Sequence, residues 1–129
     1  EHRTDRAERT LAVSGAPHFS YQTQISYRNR GKKTVTWAAK NIRFTWDRGV
    51  LEKVHVGGVK LKTDGTEGAL RASATYGVEH QPGGGMTLAG WYGQDHREGP
   101  APAPNWVTAL AVAQAGNVPP FKALDEVGA

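Results

Sequence analysis

Between residues 19 and 28 the side chains alternate without a break. Phe19, Tyr21, Thr23, Ile25 and Tyr27 are interleaved with Ser20, Gln22, Gln24, Ser26 and Arg28. An extended backbone sends successive side chains to opposite faces, so a strand turns one of these sets to a core and the other to water. The same period returns at Ile42, Phe44 and Trp46, and at Leu70, Ala72, Ala74, Tyr76 and Val78. Strands wet on one face belong to antiparallel sheets, and the chain reads as all-β.

Turn chemistry divides these runs. Asn29-Arg30-Gly31-Lys32 supplies a glycine for the positive φ of a tight hairpin, and Trp46-Asp47-Arg48-Gly49 forms a second turn. Residues 63–68 and 81–85 read as polar loops between strands. Val35 and Trp37 occupy one phase while Ile42, Phe44 and Trp46 occupy the other, so one extra residue within Ala38-Ala39-Lys40 predicts a β-bulge. Gly57-Gly58 predicts a second phase shift.

Pro100, Pro102 and Pro104 exclude a central strand and mark a surface connector from Gly93 to Asn105. Trp106 to Ala113 fits periods 2 and 3.6 equally, giving a last strand or a short helix. Residues 1–10 carry Glu1, Arg3, Asp5, Arg6, Glu8 and Arg9 and read as a polar N-terminal arm, solvated or forming a frayed helical turn. A short strand is expected from Leu11 to Ser14. Residues 114–129 read as an irregular C-terminal tail. About seven or eight strands spaced about 8 to 14 residues apart predict a single antiparallel β-sandwich, with a small closed β-barrel as the alternative.

With 129 residues, 38% of them hydrophobic, the chain suits one domain with one core. No apolar run reaches the roughly 18 residues of a membrane-spanning helix, and a soluble protein is expected. There is no cysteine, hence no disulfide, and that alone fits either redox compartment. The first residue is Glu1 rather than Met, which fits a removed leader or a boundary within a longer chain; a secreted or periplasmic location is the expectation. Sixteen basic against twelve acidic residues leave a net charge of +4, which favours acidic partners and also serves solubility.

No motif specifies a reaction. Ser14, Ser20, Ser26 and Ser73 lie in no Gly-x-Ser-x-Gly elbow, and Asp47, Asp64, Glu79 and Asp95 are scattered through turns and strand ends. A carboxylate pair assembled by folding stays open. His18, His55, His80 and His96 lack metal-ligand spacing, so no metal and no cofactor is expected. Pro82-Gly83-Gly84-Gly85 joins strands rather than opening a helix, which makes it a hairpin tip and not a phosphate loop.

Trp37, Lys40, Arg43, Phe44 and Trp46 mix rings with cations as single-strand nucleic-acid binders do, but Phe44 and Trp46 share the phase of Ile42 and so belong to a core. Trp91, Tyr92 and Trp106 flank the proline-rich connector beside Asp95 and His96. Rings with one wet edge suit sugar faces and lipid headgroups, which makes these five residues the candidate ligand surface.

Two stretches resemble the aegerolysin family of small β-sandwich proteins that bind membrane lipids. They are Ala39-Lys40-Asn41-Ile42-Arg43-Phe44-Thr45-Trp46, and Gln81-Pro82-Gly83-Gly84-Gly85-Met86-Thr87-Leu88 followed by Gly93-Gln94-Asp95 and Gly99. The resemblance implies an exported lipid-binding sandwich, with Trp46, Trp91 and Asp95 the positions it carries over. The functional expectation is a non-catalytic extracytoplasmic binding module that recognises a membrane lipid or glycan through loop aromatics. The alternatives are a basic nucleic-acid-binding barrel and a structural subunit that self-associates through a sheet edge.

Overall fold

The computed structural model describes residues 5–13, 18–27, 31–92 and 101–118. They form seven strands and one helix: β1 (Arg6–Ala12), β2 (Ser20–Tyr27), β3 (Gly31–Asp47), β4 (Val50–Leu61), β5 (Glu67–His80), β6 (Met86–Tyr92), β7 (Ala101–Pro102) and α1 (Asn105–Ala115). All pairings are antiparallel and belong to one open sheet in the order β1-β3-β4-β5-β6-β7, with β2 also on β3. The all-β character follows the alternation. The layer that a second sheet supplies in a sandwich is supplied here by α1, which lays Val107 and Ala111 into the core.

The long strand β3 organises the rest. Residues Asn41–Asp47 pair with β1 and residues Gly31–Ala38 pair with β2, while β4 lies along the opposite edge from Trp37 to Asp47. The change of partner falls at a bulge between Ala39 and Asn41, where the Ala39 N–H donates to the Phe19 carbonyl and the Val13 N–H donates to the Lys40 carbonyl. The extra residue, Lys40, brings Val35, Trp37 and Ala39 onto the same buried face as Ile42, Phe44 and Trp46, as the phase change predicts. Gly57 and Gly58, expected to hold a bulge of their own, run consecutively opposite Asn41 and Ala39; the extra residue belongs to the facing strand. A further shift lies between Thr45 and Trp46, opposite Lys53 and Leu51.

Residues 6–12 correct the expectation of a polar arm. Arg6, Glu8 and Thr10 face water, while Ala7, Arg9 and Leu11 turn inward, paired with Trp46, Phe44 and Ile42. An inward arginine disguises the alternation, and its charge is answered in place. The Arg9 guanidinium sits 5.7 Å from the Trp46 ring centre and donates to Gln114 Oε1 at 3.0 Å and to the Asn117 carbonyl at 3.1 Å. It thereby ties the first strand to the C-terminal end of α1, where a cation is favourable.

The segment 106–113 is helical. Val107 and Ala111 stand one turn apart and are fully buried, with Trp106 and Leu110 beside them. The helix runs on to Ala115 and so takes in the first two residues of the expected irregular tail, whose part beyond Val118 lies outside the described residues; the connector is described only from Ala101, where Pro102 pairs with Ala89 on an edge strand as its missing N–H requires. The remaining core is Tyr21, Leu51, Val54, Val56, Ala74, Tyr76 and Leu88. Each large side chain buried there contributes about 1.5–3 kcal/mol. The turns follow their residues: Arg48 and Gly49 have φ of 55° and 81°, both central positions positive, as a two-residue hairpin requires.

Candidate functional site

At one end of the sheet β3 and β4 part company. Their last pair is Trp37 with Lys60, and beyond it residues Gly31–Thr36 are held by β2 alone among the described strands. Strand β4 continues to Leu61, and its pairing with β5 steps from Val59–Arg71 to Leu61–Glu67, which takes in extra residues of β5 and flares the hairpin. The hairpin tip is fixed by its own chemistry. Lys62 N–H donates to the Thr66 carbonyl, and Asp64 Oδ1 accepts from both the Thr66 N–H at 3.0 Å and the Thr66 hydroxyl at 2.6 Å. These bonds hold the Asp64 carboxyl below its ordinary pKa.

The result is a cleft of about 640 Å³ between β3 and the β4–β5 hairpin. Val35, Leu61 and Leu70 give it apolar walls, and Lys33, Lys60 and Lys62 bring cations from both sides. Leu70 is 62% exposed, an unusual amount of water-facing surface for a large apolar side chain on a strand. Neither nearby acid forms an ion pair with these lysines: Glu67 pairs with Lys40 at 2.7 Å, and Asp64, still negatively charged, accepts from Thr66. Among the described residues none of the three lysines has an ion pair. Hydroxyls of Thr34, Thr36 and Thr63 add neutral donors. Among the described residues the lining brings together cations, hydroxyls and apolar side chains, a set suited to an anion with an apolar body.

The residues singled out from sequence lie elsewhere. Trp46 is 0% exposed, its indole N–H reaching the Ala115 carbonyl at 3.4 Å; its ring closes the core and presents no face to a ligand. Trp106 donates to the Ser20 carbonyl at 2.7 Å and meets the Phe19 ring edge-on at 5.4 Å, which locks α1 to the start of β2. Trp91 and Tyr92 close β6, their backbones paired with Thr75 and Ala74. Their rings, and Asp95 and His96 entirely, lie outside the described part of the chain.

Two histidines are engaged separately. His55 Nδ1 shares a 2.9 Å hydrogen bond with the Thr75 hydroxyl, and His80 Nε2 donates to the Leu51 carbonyl at 2.9 Å. Among the described residues no three His, Asp or Glu side chains gather as metal ligands. Gly83 and Gly84 form a hairpin tip with φ of 118° and 108°. The cleft lysines were missed because each reads as an ordinary solvated strand residue. The available signal was Lys60 and Lys62, two apart where a strand runs out into a polar loop.

Together these features define a class of architecture: an antiparallel sheet backed by one helix at one end and open as a cationic cleft at the other. The chain matches no protein-family model, and no curated protein or solved structure shows significant similarity to it.

Proposed function

We propose that this protein is a non-catalytic binding module that holds an acidic ligand in the cleft between β3 and the β4–β5 hairpin. The observation that carries this reading is the set of three lysines, Lys33, Lys60 and Lys62, that have no ion-pair partner among the described residues and are set around apolar walls. A volume of 640 Å³ falls within the roughly 300–1,000 Å³ of pockets that hold one small ligand or a short segment of a larger one. This reading keeps the binder expected from sequence and moves its surface from the loop aromatics to the cleft. The net charge of +4 supports it by drawing acidic partners toward the molecule.

The test is titration of wild type and a Lys33→Glu/Lys60→Glu/Lys62→Glu variant with phosphatidylserine vesicles, a heparin oligosaccharide, a thymidine oligonucleotide and an acidic peptide. At least one acidic probe binds wild type, and the charge reversal weakens it by about tenfold or more. Phosphatidylcholine vesicles do not bind. Equal binding by both proteins, or no binding of any acidic probe, overturns the proposal. Should the oligonucleotide bind best, affinity falls by about one log unit of slope per phosphate contact as salt rises.

A further inference from the structure

Resting on that reading, we infer that the ligand is an extended acidic peptide, added as a strand to the free edge of β3 at Gly31–Thr36. Along this stretch β2 satisfies one edge, and no described strand satisfies the other, because β4 turns away after Lys60. A strand exposes alternate N–H and C=O groups along each edge, and an unpaired edge is a ready template for another chain. Here that edge forms one wall of the cleft, so an incoming strand of about six residues, spanning about 20 Å, pairs with β3 while its side chains project to the two faces of the sheet beside those of both walls.

The charges choose the partner. Lysine on an edge repels a second copy of the same edge, and so protects the protein from pairing with itself. The same Lys33, with Lys60 and Lys62 facing it from the hairpin, attracts a strand bearing Asp or Glu. Lys33 and Lys60 fall in one phase of the sheet, Lys60 standing opposite Trp37, while Thr34, Thr36 and Leu61 fall in the other, which matches a peptide alternating acidic with aliphatic residues. An acyl chain uses the same apolar walls but leaves the backbone groups of the β3 edge without partners, at a desolvation cost that a peptide avoids.

Four probes separate the outcomes: a peptide of about six residues alternating Glu with Val, the same peptide N-methylated at alternate residues, polyglutamate of equal length, and dodecyl phosphate. The alternating peptide binds wild type and slows hydrogen exchange at the amides of residues 31–36, while each N-methyl group weakens it by about three- to tenfold. Polyglutamate binds more weakly, lacking aliphatic contacts. Equal binding of the N-methylated peptide, or preferred binding of dodecyl phosphate, overturns strand addition and leaves the acidic-ligand reading standing. Failure of every probe overturns strand addition, and the acidic-ligand reading is then decided by the vesicle, heparin and oligonucleotide titrations. Sedimentation of the unliganded protein as a dimer, with residues 31–36 already protected from exchange, overturns the inference in favour of pairing between copies.

Discussion

The Arg9 guanidinium lies 5.7 Å from the centre of the Trp46 ring and within hydrogen-bond reach of Gln114 and Asn117, so one side chain fastens the first strand to the last helix. Replacing it by methionine keeps the apolar stem and removes the charge from both the ring face and the helix end. Arg9→Met is expected to cost about 1–2 kcal/mol in urea denaturation, with Arg9→Lys recovering part of the loss. An unchanged midpoint for Arg9→Met contradicts this account.

Inside the β2–β3 pair the Trp37 indole N–H donates to the Thr23 hydroxyl at 2.9 Å, both groups being buried. Thr23→Val conserves shape and deletes the acceptor, which strands a donor away from water. A loss of about 1–3 kcal/mol is expected. Thr36→Val, at a half-buried position on the other face of β3, serves as the control and changes stability by less than about 0.5 kcal/mol.

The His55 imidazole is held below its ordinary pKa of 6.5, first by burial and second by the nearby Arg43 guanidinium. The fold therefore favours neutral imidazole, while the unfolded chain titrates at the ordinary value. The stability from this group is complete above about pH 6.5 and is lost as pH falls through the lower, folded value. An NMR titration of the ring protons gives a midpoint below that of free histidine. Arg43→Gln moves it upward without restoring it fully, because burial is the larger cause.

Gly58 lies where β4 crosses the bulge of β3, and a Cβ there meets the Ala38 carbonyl oxygen inside contact distance and Tyr21 Cε1 at 3.0 Å. The obstacle is largely backbone, which cannot swing aside. Gly58→Ala is expected to lower stability by about 1–3 kcal/mol, although alanine ordinarily favours a strand over glycine. Gly85→Ala, where a Cβ meets nothing within 4 Å, is the control and stays within about 0.5 kcal/mol of wild type.

Sequence made legible those parts of the fold that local periodicity dictates. The Lys40 bulge follows from the phase of Trp37 against Ile42, and the positive φ of Gly31 and the turn at Gly49 from the freedom of glycine, while Asn29 and Arg30 lie outside the described residues. Strand β1 was hidden because its alternation needs Arg9 to count as an inward residue, and the ring of Trp46 and the end of α1 make that burial tolerable. The helix was ambiguous because Val107, Ala109, Ala111 and Ala113 alternate as a strand does while Trp106, Val107, Leu110 and Ala111 make a helical face, and the choice depends on what the segment packs against. The cleft was not legible at all. It arises where β3 separates from β4, bringing Lys33 near Lys60 and Lys62 across residues far apart in the chain.

Both strands that precede β3 depend on it as their sole described partner, Arg6 waiting for Asp47 and Ser20 for Ala38. Translation therefore delivers two orphan ribbons before their common template leaves the ribosome. Because β1 docks on the later half of that template, the strand made first of the three is the last of them to find its place, and a chain stalled before residue 47 exposes it to proteases and chaperones.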